Sequence, residues 1–168
     1  MSYLKYPRLL AHLTLVAVVL LPLIAAGTWI FFDQFAPYYG FDLQPLGATT
    51  RGIGLLLYLT IALIHAYGLL GVRQTFLEAA TGRALSKKSV LGFRRFAWVS
   101  LTLVLLKELR HTGTVVILSA SNPDTPGSLS FQFGSPQISA LFTALLLVFV
   151  AYVFTEGKRA REENDSFF

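Results

Sequence analysis

Residues 96–120 read FAWVSLTLVLLKELRHTGTVVILSA. The stretch exceeds the roughly 20 apolar residues with which a helix crosses about 30 Å of hydrocarbon. Its centre nevertheless holds Lys107, Glu108, Arg110 and His111. At bilayer depth Lys, Glu and Arg cost roughly 2.5–3.5 kcal/mol each, while each surrounding Leu, Val or Ile returns only about 0.3–0.6 kcal/mol. Such a helix inserts poorly alone and is expected to be held by neighbours, with its polar side turned among them.

Three further apolar runs lie outward from this one, at residues 9–32, 53–72 and 138–155. The distribution of Lys and Arg tests whether the charged stretch is counted with them, because basic residues gather on cytoplasmic segments. Lys5 and Arg8 precede the first run. Arg73, Arg83, Lys87, Lys88, Arg94 and Arg95 lie between the second and third, and Lys158, Arg159 and Arg161 follow the fourth. The other two connections carry Asp33, Asp42 and Asp124, with Arg51 as their single basic residue. Only an even number of crossings puts every basic segment on one side. The expected fold is therefore an all-α membrane protein, a four-transmembrane-helix bundle with N- and C-termini cytoplasmic, forming a single integral membrane domain over residues 1–168. The Lys5 and Arg8 start is read as the lead of a span rather than a signal peptide, because the apolar run continues through Trp29 to Phe32.

Composition agrees: 54% of residues are hydrophobic, 14% are charged, and the mean hydropathy is +0.60, outside the range of soluble domains. Cysteine is absent, which removes disulfides, thiolate metal sites and Cys nucleophiles. The formal charge of +5 is spread over three edges with no recognition motif. It reads as topology and contact with anionic headgroups of membrane lipids, with no direct binding of nucleic acid.

At about 100° per residue, Ser100, Lys107, Arg110, His111 and Thr114 share one helix face and Glu108 lies at its margin. Counting from the membrane boundary places His65 near the level of Lys107, with Tyr58 seven residues earlier on the same face, as first-choice contacts. Glu108 is the single carboxylate at that depth. The excess of cations must be met by carbonyls, water, a neutralised Lys, or a bound anionic or carbonyl-bearing ligand. Three readings of Lys107, Glu108, Arg110, His111, His65 and Tyr58 stay open: a buried polar network that fixes helix packing, a ligand, proton or lipid site, and a catalytic site.

Particular chemistries find little support. Glu108 and His111 have the Glu-x-x-His spacing of di-metal bundles, but the other helices lack the further carboxylates. A bis-histidine haem needs two His at one depth, and no Ser-His-Asp order or Gly-rich phosphate loop is visible. No catalytic residue, metal or cofactor is expected. Gly52, Gly54, Gly68 and Gly71 suit close helix contact, and a homo-oligomer is compatible with them. Pro22 is expected to kink the first helix.

Residues 73–95 read as a cytoplasmic helical hairpin that stops near Gly82 and restarts at Ser86 as N-cap. Its Arg83, Lys87, Lys88, Arg94 and Arg95 lie beside apolar residues such as Phe76 and Leu91, a surface for headgroups or for a partner protein. Residues 156–168 form a cytoplasmic tail. On the opposite side, Ser128 to Gly134 alternates polar and apolar residues between Pro126 and Pro136, as a short strand that could pair with residues 41–44 or as an irregular interfacial loop.

Two segments carry a resemblance. Gly71-Val-Arg-Gln-Thr-Phe-Leu-Glu-Ala-Ala-Thr-Gly82, with Phe93-Arg-Arg-Phe-Ala-Trp98 beyond it, and Val153-Phe-Thr-Glu-Gly-Lys-Arg-Ala-Arg-Glu-Glu-Asn-Asp165 resemble the central and closing segments of the DUF2975 family of small bacterial four-span membrane proteins. The Lys107 to His111 cluster lies outside that pattern, as does the ending Ser166-Phe-Phe168. The resemblance implies a multi-pass protein of the bacterial inner (plasma) membrane and, as a partner, a small cytoplasmic helix-turn-helix regulator. It carries over no catalytic residue. The leading expectation is a non-enzymatic, membrane-anchored regulatory or interaction protein that senses or binds a lipid or small ligand in its polar centre. The alternative is a carrier or a lipid- or quinone-binding subunit using Lys107, Arg110 and His111.

Overall fold

The computed structural model describes residues 5–35, 46–121 and 134–166, and every regular element among them is helical. These elements are α1 (Lys5–Ile30), the single turn α2 (Phe32–Phe35), α3 (Ala48–Ala79), α4 (Lys87–Ser121) and α5 (Ser135–Asp165). By length and composition α1, α3, α4 and α5 can each cross a membrane. α3, α4 and α5 extend past both ends of their apolar runs, while α1 ends at Ile30, two residues before its run does. The strand or loop expected at residues 128–134, and its pairing with residues 41–44, fall almost wholly outside the described residues.

The side chains are sorted by size in the way a membrane requires. Buried positions are mostly small: Ala11 and Ala25 on α1, Ala62, Ala66, Gly68 and Gly71 on α3, Ala97 on α4, Ala144 and Ala151 on α5. Large apolar side chains point outward, Leu56 at 69% and Leu105 at 68% exposure among them. In water this would be an aggregation surface; in lipid the hydrophobic effect does not draw helices together, and close backbone approach through small residues does. The threonine hydroxyls follow the same logic. Thr14, Thr60, Thr102, Thr114 and Thr143 each donate to the carbonyl four residues back, at 2.7–3.0 Å, so none presents an unmet donor to hydrocarbon.

Packing is sequential. α1 lies on α3, α3 on α4 and α4 on α5, and no other pair of the long helices makes a close backbone approach among the described residues. The bundle is thus open along α5, which has one neighbour. A close approach of two backbones joins Gly71 of α3 to Gly92 of α4: a Cβ on either would strike the carbonyl oxygen of the other. Nearby, the Thr75 hydroxyl donates across to the Ser89 carbonyl at 2.9 Å. Between these helices the turn is built by local chemistry. Gly82 takes a φ of +76°, which costs glycine little. Its N–H meets the Ala79 carbonyl at 3.0 Å while the Arg83 N–H meets that of Glu78 at 3.0 Å, the paired bonds of a Schellman ending. α4 then starts from Ser86, whose hydroxyl oxygen accepts the Ser89 N–H at 3.1 Å. The last two turns of α5 carry the pairs Lys158–Glu162 at 2.6 Å and Arg159–Glu163 at 3.0 Å. Each pair contributes only about 0.3–0.5 kcal/mol, yet both help the helix to run on through the expected tail.

At the end opposite the termini, Arg51 ties α3 to the end of α1. Its guanidinium pairs with Asp33 and donates to the Leu46 carbonyl at 3.1 Å and the Ile30 carbonyl at 3.5 Å. Pro22 lies inside an unbroken α1.

Candidate functional site

Helix geometry prevents α4 from neutralising its own charges. Lys107 has Arg110 three residues on and His111 four on, so three basic groups share a face. Glu108 is one residue from Lys107 and two from Arg110, spacings at which side chains on a helix diverge. Accordingly, among the described residues neither Lys107 nor Arg110 has a carboxylate within ion-pair distance.

These groups border one cleft of about 190 Å³, lined by Lys107, Glu108, Arg110, His111 and Thr114 of α4, Tyr58 of α3 and Gln137 of α5. Arg110 is half-buried and its guanidinium lies over the Tyr58 ring, 5.2 Å from the centroid. Such a cation–π contact contributes about 0.5–1 kcal/mol where exposed and up to about 2 kcal/mol where dry. Thr114 gives its single proton to the Arg110 carbonyl at 2.8 Å, so the Tyr58 phenol donates to the Thr114 oxygen at 3.1 Å. Behind Tyr58 stands Trp29, which is 1% exposed, meets the Tyr58 ring edge-on at 5.4 Å and stacks on Phe32 at 5.3 Å. The indole covers Gly54, where a Cβ would overlap its ring. Arg110 is therefore positioned from α1 through α3, whereas Lys107 and His111 stand exposed at the mouth.

Tyr58→Phe should remove only the phenol's hydrogen bond, at a cost of about 0.5–1.5 kcal/mol, and keep the ring under Arg110. Tyr58→Ala should cost at least twice as much in detergent-solubilised unfolding measurements. Equal costs would mean that the ring does not hold Arg110.

Gln137 locates the cleft along the bundle. It is the third residue of α5, and its side-chain oxygen accepts the Gly134 N–H at 3.1 Å. The charge cluster is central in α4 but level with the first turn of α5. α4 runs on from Thr114 to Ser121, seven residues or about 10 Å, beyond the cleft. The basic groups thus share their cleft with the first turn of α5.

Of the six residues expected at this site, Tyr58, Lys107, Glu108, Arg110 and His111 come together and His65 does not. Tyr58 meets Thr114, a register that puts half-buried His65, seven residues beyond Tyr58, level with Lys107, seven residues before Thr114, yet His65 does not line the cleft. Trp29 and Gln137 were missed. Gln137 carried a signal, a polar residue in the first turn of the last apolar run; Trp29 carried none beyond its size. Ser100, expected on the same face, lines a separate groove between α4 and α5. Among the described residues no three His, Asp or Glu side chains gather at metal-binding spacing.

The basic residues at the other end divide among four places. Arg83 and Lys87 border a cleft of about 250 Å³ with Lys158, Arg161, Glu162 and Asp165 of α5. Arg83 also reaches Glu78 at 3.4 Å, and the Glu78 carboxylate accepts the Ser86 hydroxyl at 2.9 Å. Arg94 borders a cavity with Glu156, Arg95 lies 4.7 Å over the Tyr67 ring, and Lys88 is exposed.

The chain matches no family model, no curated protein and no solved structure.

Proposed function

We propose that this is a non-enzymatic multi-pass membrane protein that binds an anionic head group in the cleft formed by Lys107, Arg110 and His111. The observation that carries the reading is the convergence of those three groups in one cleft without a carboxylate in ion-pair reach of Lys107 or Arg110. A phosphate or carboxylate supplies the missing charge, Arg110 offers a planar fork held by Tyr58, and Lys107 adds a mobile point charge. Glu108 is the one acidic lining residue and favours a head group that also carries a donor, such as a glycerol hydroxyl.

The test is thermal unfolding of the purified protein in neutral detergent with graded phosphatidylglycerol or phosphatidylcholine. Mass action gives about 2.7 kcal/mol of added stability at a ligand concentration 100-fold above Kd. Saturable stabilisation by phosphatidylglycerol and little by phosphatidylcholine is the expected result; equal shifts with both contradict a charge-selective site.

A second reading, regulation through a protein partner on the cytoplasmic side, is supported by the meeting of Arg83 and Lys87 with the charged end of α5. A soluble partner that copurifies with the protein, and is lost on Arg83→Glu plus Lys87→Glu, would favour it. The resemblance to the DUF2975 family fits either reading, and the gathering of Lys and Arg on this side supports a cytoplasmic location for the surface.

A further inference from the structure

We propose that the seam between α4 and α5 seats the hydrocarbon chain of an anionic acyl lipid whose head lies in the charged cleft; the proposal rests on the anion-binding reading above and names its ligand. A groove of about 530 Å³ runs along this seam, bordered by Ser100 and Val104 of α4 and by Pro136, Ala140, Ala144 and Leu147 of α5. It shares no lining residue with the cleft but adjoins it on both walls. Val104 precedes Lys107 and Glu108 by three and four residues, which puts it one turn along the same face, and Pro136 is the chain neighbour of Gln137.

Charge falls away along the seam in the order an amphiphile requires: basic groups at the rim of α5, then alanine, valine and leucine interspersed with the uncharged Ser100, Ser139 and Thr143. The Thr143 hydroxyl in the groove is satisfied by the Ser139 carbonyl at 2.9 Å, so it does not oppose a hydrocarbon neighbour. From Pro136 to Leu147 the groove follows α5 for eleven residues, about 16 Å at 1.5 Å per residue. That is the depth of one leaflet, half of the roughly 30 Å hydrocarbon core. The seam is also reachable from lipid, because α4 is the only long helix that packs on α5 among the described residues. Small residues line it where Phe142 and Phe149 point away, at 66% and 62% exposure.

The experiment compares glycerol 3-phosphate with short-chain and long-chain lysophosphatidic acids, read by native mass spectrometry and by the unfolding temperature. Three proteins are used: the unchanged protein, Ala144→Trp, and Lys107→Ala plus Arg110→Ala. In the unchanged protein, affinity should rise at least about tenfold from the short to the long chain. Ala144→Trp should abolish that gain and leave short-chain binding intact, while the double alanine variant weakens every probe. Ala140→Leu serves as a milder block should the tryptophan variant not fold. A flat chain-length series with glycerol 3-phosphate still bound overturns the seam and leaves the anion site standing. A dimer that excludes the long-chain probe, and dissociates on Ala144→Trp, overturns it in favour of a second copy of the chain. Failure of every anionic probe to bind overturns the anion-binding reading itself.

Discussion

Lys107→Glu combined with Arg110→Glu will release anionic lipid from the protein while leaving the helices assembled. The pair supplies the two fixed cations of the cleft, and reversing both replaces attraction by repulsion at the same positions. Removing one partner of a hydrogen-bonded charge pair in a partly desolvated site commonly costs about 2–5 kcal/mol, so a loss of more than about 30-fold in affinity is expected. The fold should tolerate the change, because Lys107 is exposed and Arg110 only half-buried. What α4 loses is the contact with Tyr58, about 1 kcal/mol. The chain carries a formal charge of +5, so general attraction to anionic lipid must be separated from a site. Lys88→Glu, at an exposed position remote from the cleft, provides that comparison and should change affinity less than about twofold at physiological salt. Similar losses from the Lys88 and the double variants would reduce the cleft to a share of overall charge. The readout is competition between phosphatidylglycerol and phosphatidylcholine, with circular dichroism to establish that the helices persist.

Gly92→Leu will separate α3 from α4. At this crossing two backbones touch, and the atom facing a new Cβ is the Gly71 carbonyl oxygen, which cannot turn aside as a side chain can. Overpacking by methylenes costs about 1–3 kcal/mol in well-packed interiors and more where backbone must move; a full leucine side chain should reach the upper end or exceed it. The shift also stretches the Thr75 to Ser89 hydrogen bond of 2.9 Å. Gly27 supplies the contrast. It lies in α1 with nothing within 4 Å of the place a Cβ would take, so Gly27→Ala should be neutral or add up to about 1 kcal/mol through helix propensity. Unfolding in mixed detergent micelles, followed by helix content, measures both. Equal behaviour of the two variants would mean that the Gly71 and Gly92 contact is not what joins the helices.

Three of the long helices are legible because each carries an unbroken apolar run, the charge-interrupted α4 because the placing of Lys and Arg requires an even number of crossings, and the break between α3 and α4 because Gly82 and Ser86 have specific backbone and capping roles. The cationic face was also legible, since residues 107, 110, 111 and 114 on a helix meet whatever the neighbours are. What lies opposite was legible in part: Tyr58 was expected there, whereas Gln137 was not. Counting inward from the membrane boundary put His65 near the level of Lys107, and the contact of Tyr58 with Thr114 keeps it there, yet His65 does not line the cleft. A glycine announces close approach without naming its partner. The open side of α5 was equally hidden, because residues such as Phe142 and Leu145 read the same whether lipid or a helix covers them. The level of the charges beside the first turn of α5 follows from where Gly134 and Pro136 start that helix, and a run of apolar residues marks that start only loosely.

The most direct test is native mass spectrometry of the protein released from nanodiscs that contain equal amounts of phosphatidylglycerol and phosphatidylcholine. The structure leads us to expect anionic lipid retained on the unchanged protein in preference to phosphatidylcholine, and that preference lost on Lys107→Ala plus Arg110→Ala. Release of lipid-free protein, or the same lipid complement on both proteins, would contradict a head-group site in the α4 cleft.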